Sequence, residues 1–344
     1  MEQIFAGQIN EQAPLLAYHF QQAGDQQRAL RYLTLAARSA ARLFANGEAY
    51  DLYSSAIETV AGLGTDDLIL AGLYHERGLI NEVTGDYESA RLDLEKALEI
   101  VHETGDELFH WQVMLDLGNL WTSRDYNEAG DYYEEALAIA RRIDDPAVLA
   151  QSLNRLGNWY ANAERPQEAV AYHREALEII EQLDDKAGLA NTVDLLGMAN
   201  LLAGNIVDAH AYFDRAVTLF RELDDRFRLA GSLATLRAGV TYNELASVQP
   251  QEVLETSEQS LKEALAISEE IGWLAGQSFA RWTLGLHYAL IGQIDRAMQT
   301  VDRGLQIATE IDHRQWRAGH EFNLSAIYDD LLAGERAALH ARRS

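Results

Sequence analysis

A chain of 344 residues with 54 acidic against 28 basic side chains carries a formal charge of -26. A surface that negative repels nucleic-acid phosphates and anionic lipid headgroups, so direct nucleic-acid or membrane binding is excluded as the expected role. There is no run of about 18 apolar residues and no basic-then-apolar segment at the start; cysteine is absent, and a cytoplasmic location fits.

Taken in chain order, the first 60 residues alternate apolar and polar positions at helical spacing, less regularly than the rest of the chain. Leu16-Ala17-Tyr18 leads to Gly24-Asp25, then come Ala29-Leu30, Ala36-Ala37, Ala40-Ala41, Ala49, Tyr53 and Ala56-Ile57. From there a pattern returns about every forty residues. Gly78, Gly118, Gly157, Gly197, Gly239 and Gly285 are spaced 40, 39, 40, 42 and 46 apart. Alanines come after most of them at a fixed distance (Ala90, Ala169, Ala209 and Ala297, with Ala129 one residue early). A second small residue comes seven places later, at Ala97, Ala136, Ala176, Ala216 and Gly304. Small residues at such spacing mark places where two helices touch closely, and a period of this size means stacked units, each packed on its neighbours.

Within a unit the apolar residues line one helix face and then another, as in Leu189, Val193 and Leu196, then Phe213, Ala216 and Leu219, with Gly204-Asn205 as the turn. Each unit is therefore predicted to be a helix pair, A then B. Acidic turns join the units at Asp144-Asp145-Pro146, Asp184-Asp185-Lys186 and Asp224-Asp225-Arg226, where an aspartate can cap the next helix. Pro14, Pro146 and Pro166 fall where a first helical turn accepts proline. With no alternating strand pattern, more than about two thirds of the chain is expected to be helical.

The glycine of helix A, the aromatic residue three places on (Trp121, Tyr160, Tyr242, Tyr288) and the two small residues of helix B resemble the tetratricopeptide repeat, in a variety longer than its usual unit. The resemblance implies an all-α, right-handed superhelix of helix pairs. It departs at Met198 and Asn200, where the aromatic is missing, at the Gly118 unit, one residue short before Asp125-Tyr126, and around Ser247 to Glu258, where about six residues are extra. The first 60 residues are similar to the segment after the nucleotide-binding module of bacterial signal-transduction (STAND-type) ATPases, maltose-activator-like regulators and multidomain nucleotide cyclases. The expected division is irregular helical repeats over 1–62, the repeat array over 63–332 and a truncated or capping helix over 333–344. On that resemblance the chain is expected to be a fragment, the sensor or scaffold arm of a larger bacterial signalling protein.

Catalytic motifs are missing. No Gly-x-x-x-x-Gly-Lys-Ser/Thr loop or Gly-x-Gly-x-x-Gly turn occurs, and His19, His173, His210 and His287 are lone helical histidines, expected to be packed or solvated rather than metal ligands. The carboxylates pair with no nucleophile or base. No enzyme activity, metal or cofactor is expected.

The resemblance further implies that helix A lines a concave groove. The residues at its groove places are Gln112 and Asn119 in the Gly118 unit, Gln151, Asn154, Asn158 and Asn162 in the Gly157 unit, and Asn191 and Asp194 in the Gly197 unit. Phe279 and Trp282 form an apolar end further on. Side-chain amides offer a donor and an acceptor to a peptide backbone, and helix propensity would not select asparagine there. The alternative is that these amides bond between adjacent helices and set repeat register. The expected role is binding of a peptide or protein segment. The rivals are a small-molecule, sugar-like sensor and a structural module that self-associates into a homo-oligomer.

Overall fold

A computed structural model describes residues 9, 11–63, 67–243, 251–331 and 333–344. The chain is all-α, about 84% helical, with no strand among the described residues. The helices are α1 (Ala13–Gln22), α2 (Gln26–Arg42), α3 (Asn46–Leu63), α4 (Asp67–Thr84), α5 (Tyr87–Thr104), α6 (Glu107–Trp121), α7 (Tyr126–Ala140), α8 (Pro146–Asn162) and α9 (Pro166–Ile180). They continue with α10 (Lys186–Leu202), α11 (Ile206–Glu222), α12 (Arg226–Asn243), α13 (Gln251–Glu270), α14 (Leu274–Leu290), α15 (Ile294–Glu310), α16 (Arg314–Asp330) and α17 (Gly334–Ala341). They fall into two compact units, residues 1–156 and 157–344, with the boundary inside α8.

The local signals act as the sequence predicts. Asp145, Asp185 and Asp225 accept hydrogen bonds from the backbone N–H of Ala147, Gly188 and Arg228 at 2.8, 2.8 and 3.0 Å, satisfying orphan donors at the start of α8, α10 and α12. Pro14 lies in the first turn of α1, and Pro146 and Pro166 open α8 and α9.

The repeat glycine has a steric cause that is the same in each pair. A Cβ built on Gly78, Gly118, Gly157, Gly197 or Gly285 would meet the side chain of Leu94, Tyr133, His173, Phe213 or Val301 at 3.0, 2.5, 2.7, 2.9 and 2.4 Å. The partner stands sixteen residues on, except at Gly118, whose shorter unit brings Tyr133 in at fifteen. Helix B thus lays a side chain directly on the backbone of helix A. The small residues of helix B do the reverse: Ala90, Ala97, Ala129, Ala136, Ala169, Ala176, Ala209, Ala216 and Ala297 are all fully buried.

Where the aromatic is missing, a buried asparagine closes the turn. Asn200 donates to the Leu196 carbonyl at 2.8 Å and accepts from Asn205 Nδ2 at 3.1 Å. The packing around Gly239, the side chain of Tyr242, and residues 244–250 of the extra segment around Ser247 to Glu258 lie outside the described residues.

Candidate functional site

Polar side chains on the A helices pair with side-chain or backbone groups about one repeat away. In residues 1–156, His75 Nε2 lies 2.7 Å from Asp116 Oδ2 and the Trp111 indole donates to Ser152 Oγ at 2.6 Å. In residues 157–344, Ser232 Oγ donates to Asp194 Oδ1 at 2.5 Å, and Asn323 Nδ2 donates to the Trp282 carbonyl at 2.8 Å. Ser278 Oγ lies 3.1 Å from His320 Nε2. Each bond can form only when successive A helices are in one register.

This network takes up part of the amide set singled out from sequence. Gln112 donates to Asp116 at 3.0 Å, and Asn119 accepts from the Tyr133 hydroxyl at 2.8 Å. The Asn162 amide donates to the backbone carbonyl of Asn158 at 3.1 Å. Asn154 is half-buried and engaged. Asp194 is tied to Ser232, and burial pushes its carboxyl up to about 6, against the pull of the Ser232 hydrogen bond and the Arg228 charge. Asn158 and Gln151 are exposed and Asn191 half-buried, and none of their side chains has a hydrogen-bond partner among the described residues. Asn119→Ala should therefore lower stability by about 1 to 2 kcal/mol, because the buried Tyr133 hydroxyl keeps only Thr122 Oγ1, 3.2 Å away. A shift of the urea midpoint at unchanged slope checks it.

Phe279 and Trp282 belong to a larger aromatic cluster in residues 157–344. Phe279 stacks on Trp316 of α16 with ring centroids 4.7 Å apart, and His313 stacks on the same indole at 5.2 Å. Trp282 sits 5.9 Å from both Phe279 and Trp316. The sequence pattern does not single out Trp316 and His313, since α16 carries Ser325 where a repeat glycine would stand. Nor is Trp282 a free side chain: a Cβ on Gly319 would come within 3.0 Å of its indole nitrogen, so the absence of a side chain on α16 seats the ring.

Models of the tetratricopeptide repeat match residues 71–100, 119–179 and 148–222. No curated protein matches the sequence. Among solved structures the chain is similar to BtubC from P. vanneervenii, at 27% identity over 64% of this chain and 89% of that one, with a TM-score of 0.55. It is also similar to a Signal Transduction ATPase with Numerous Domains with a tetratricopeptide repeat sensor from Pyrococcus horikoshii, at 16% identity and a TM-score of 0.66. That match covers 92% of this chain but only 46% of that one. A Rap protein complexed with competence and sporulation factor matches at 16% identity over 97% of this chain and 91% of that one, with a TM-score of 0.62. Glycine-on-helix-B packing repeated through the chain, the family models and these folds agree: the chain carries a tetratricopeptide repeat domain.

Proposed function

We propose that this repeat domain is a recognition module that holds a peptide or protein segment against the A helices, with Asn158 and Asn191 as backbone-pairing amides. The observation that carries this reading is the contrast within the amide set. Gln112, Asn119 and Asp194 are spent on the fold, whereas Asn158 and Asn191 occupy helix interiors at a cost in propensity, and their side chains bond to nothing among the described residues. A side chain that serves neither helix nor packing is available to a partner. Half-buried Phe279, Trp282 and Trp316 add an apolar anchor of the residue type enriched at binding hot spots. The charge of -26 favours a partner that is not itself strongly acidic.

The solved relatives support the class of partner: the Rap protein was crystallised with competence and sporulation factor, and the repeats of the archaeal ATPase are described as a sensor. We read this chain likewise as the sensor arm of a larger signalling protein. Its proposed activity is binding, not turnover.

The test uses peptides selected from a random library on the wild-type chain. Asn158→Ala should weaken a selected peptide roughly five- to a hundredfold and leave the melting temperature unchanged. Glu178→Ala, an exposed position on helix B of the same pair, should change neither. An Asn158→Ala chain that melts several degrees lower and binds as well as wild type makes the residue a structural strut and removes it from the site.

A further inference from the structure

Residues 1–156 contain a cleft of about 850 Å³ lined by α2, α4 and Leu63. Its size is within the range of small-molecule sites. We propose that it binds a single-chain aliphatic carboxylate, a fatty-acid-like ligand, separately from peptide recognition in residues 157–344.

The lining sets the chemistry. Leu30, Leu35, Leu63, Ile69 and Leu73 make the walls aliphatic, with no aromatic ring among the described lining residues for a planar ligand to stack on. Ile69 is left 43% exposed, apolar surface that a buried alkyl chain would cover. Two guanidiniums stand in the lining, Arg31 and Arg38. Arg38 is already neutralised: it donates through Nε and Nη2 to Glu76, at 2.9 and 2.5 Å to Oε1, and the Tyr53 hydroxyl bonds the same carboxylate. Arg31 lies against the Tyr32 ring at 5.6 Å and has no carboxylate within ion-pair reach among the described residues. The cleft therefore offers one uncompensated positive charge beside an aliphatic wall. A planar carboxylate monoanion matches one guanidinium fork, whereas a phosphate dianion would bring a second charge toward Glu76.

The backbone makes room for the chain. Gly72 faces the cleft from the interior of α4, and a Cβ built there meets nothing within 4 Å. A larger residue at that position would grow into the cleft without displacing the core.

Calorimetric titration with octanoate, decanoate and dodecanoate, each below its micelle-forming concentration, tests the proposal on the full chain. One equivalent should bind, with affinity rising roughly fourfold per added methylene. Arg31→Gln should weaken dodecanoate about tenfold or more, and dodecanol should bind the wild type no better than dodecanoate binds that variant. Gly72→Leu should abolish binding with the circular dichroism spectrum unchanged. If that variant fails to fold, Ile69→Glu, at an exposed position, should abolish it instead. No binding to the wild type overturns the proposal. So do equal affinities for the acid and the alcohol, and undiminished binding in the cleft variants.

Discussion

At pH 4 the unit formed by residues 157–344 should have lost about 6 kcal/mol of stability through two histidines, with roughly 2 kcal/mol returned by one aspartate. His173 and His320 are 1% and 0% exposed, and burial pushes both imidazoles down to about 4 from their usual 6.5. They are neutral in the folded chain, while the unfolded chain takes up protons as soon as the pH falls below 6.5. Their contribution is complete above pH 6.5 and is lost between there and about 4. Asp194 works in the opposite sense: its carboxyl, raised to about 6 from 3.8, opposes folding at neutral pH and ceases to do so as it protonates below 6. The net loss, near 4 kcal/mol, is a large share of the stability of an ordinary domain.

The repeat itself supplies the variant that isolates one histidine. The residue laid on the A-helix glycine is His173 in one pair and Phe213 in the next, so His173→Phe places there a ring that the architecture already accepts. At pH 7.5 the variant should lie within about 1 kcal/mol of wild type, and at pH 4 it should be about 3 kcal/mol more stable. Urea unfolding at the two pH values decides it. Parallel pH profiles for the two chains would mean that His173 is not held neutral by burial.

Two chemically identical substitutions should differ by about 4 kcal/mol in their effect. Gly304→Ala puts a Cβ 2.1 Å from Cε1 of His320, a fully buried ring close to both the hydroxyl and the backbone carbonyl of Ser278, at 3.1 and 3.2 Å. The ring has nowhere to go without giving up those bonds. Overpacking and a strained hydrogen bond together should cost about 3 kcal/mol even after the gain in helix propensity. Gly72→Ala meets open space and should stabilise by about 1 kcal/mol, from helix propensity and the reduced freedom of the unfolded chain. Denaturant midpoints of the two variants give the comparison. Equal shifts would refute the steric account of the small helix-B residue Gly304.

Much of the fold is legible in the sequence because each signal is local or repeats. The aspartate caps depend on residues two or three places away, and the glycine depends on one side chain sixteen places on that recurs in pair after pair. Gln112 and Asn162 meet partners four residues away on their own helices, but the fate of Asn119 and Asp194 is not legible, because it depends on hydroxyls in other helices with no periodic mark. Asp194 meets Ser232 38 residues on, and Asn119 meets Tyr133, whose position results from the one-residue deletion in its unit. No pattern in Gln112, Asn119, Asn158 and Asn191 themselves separates the committed amides from the uncommitted ones. Trp316 and His313 are hidden for a related reason, since α16 has lost the glycine that sets its register. The cleft beside Arg31 lies in the least regular helices, where the repeat gives no guide to which faces meet.

Amide hydrogen exchange with a library-selected peptide shows whether a peptide lies along the A helices. In residues 157–344, saturating peptide should slow exchange on the A helices α10, α12 and α14 together and leave the B helices α11 and α15 unchanged. Protection confined to α11 and α15, or none on the A helices, would place the peptide elsewhere.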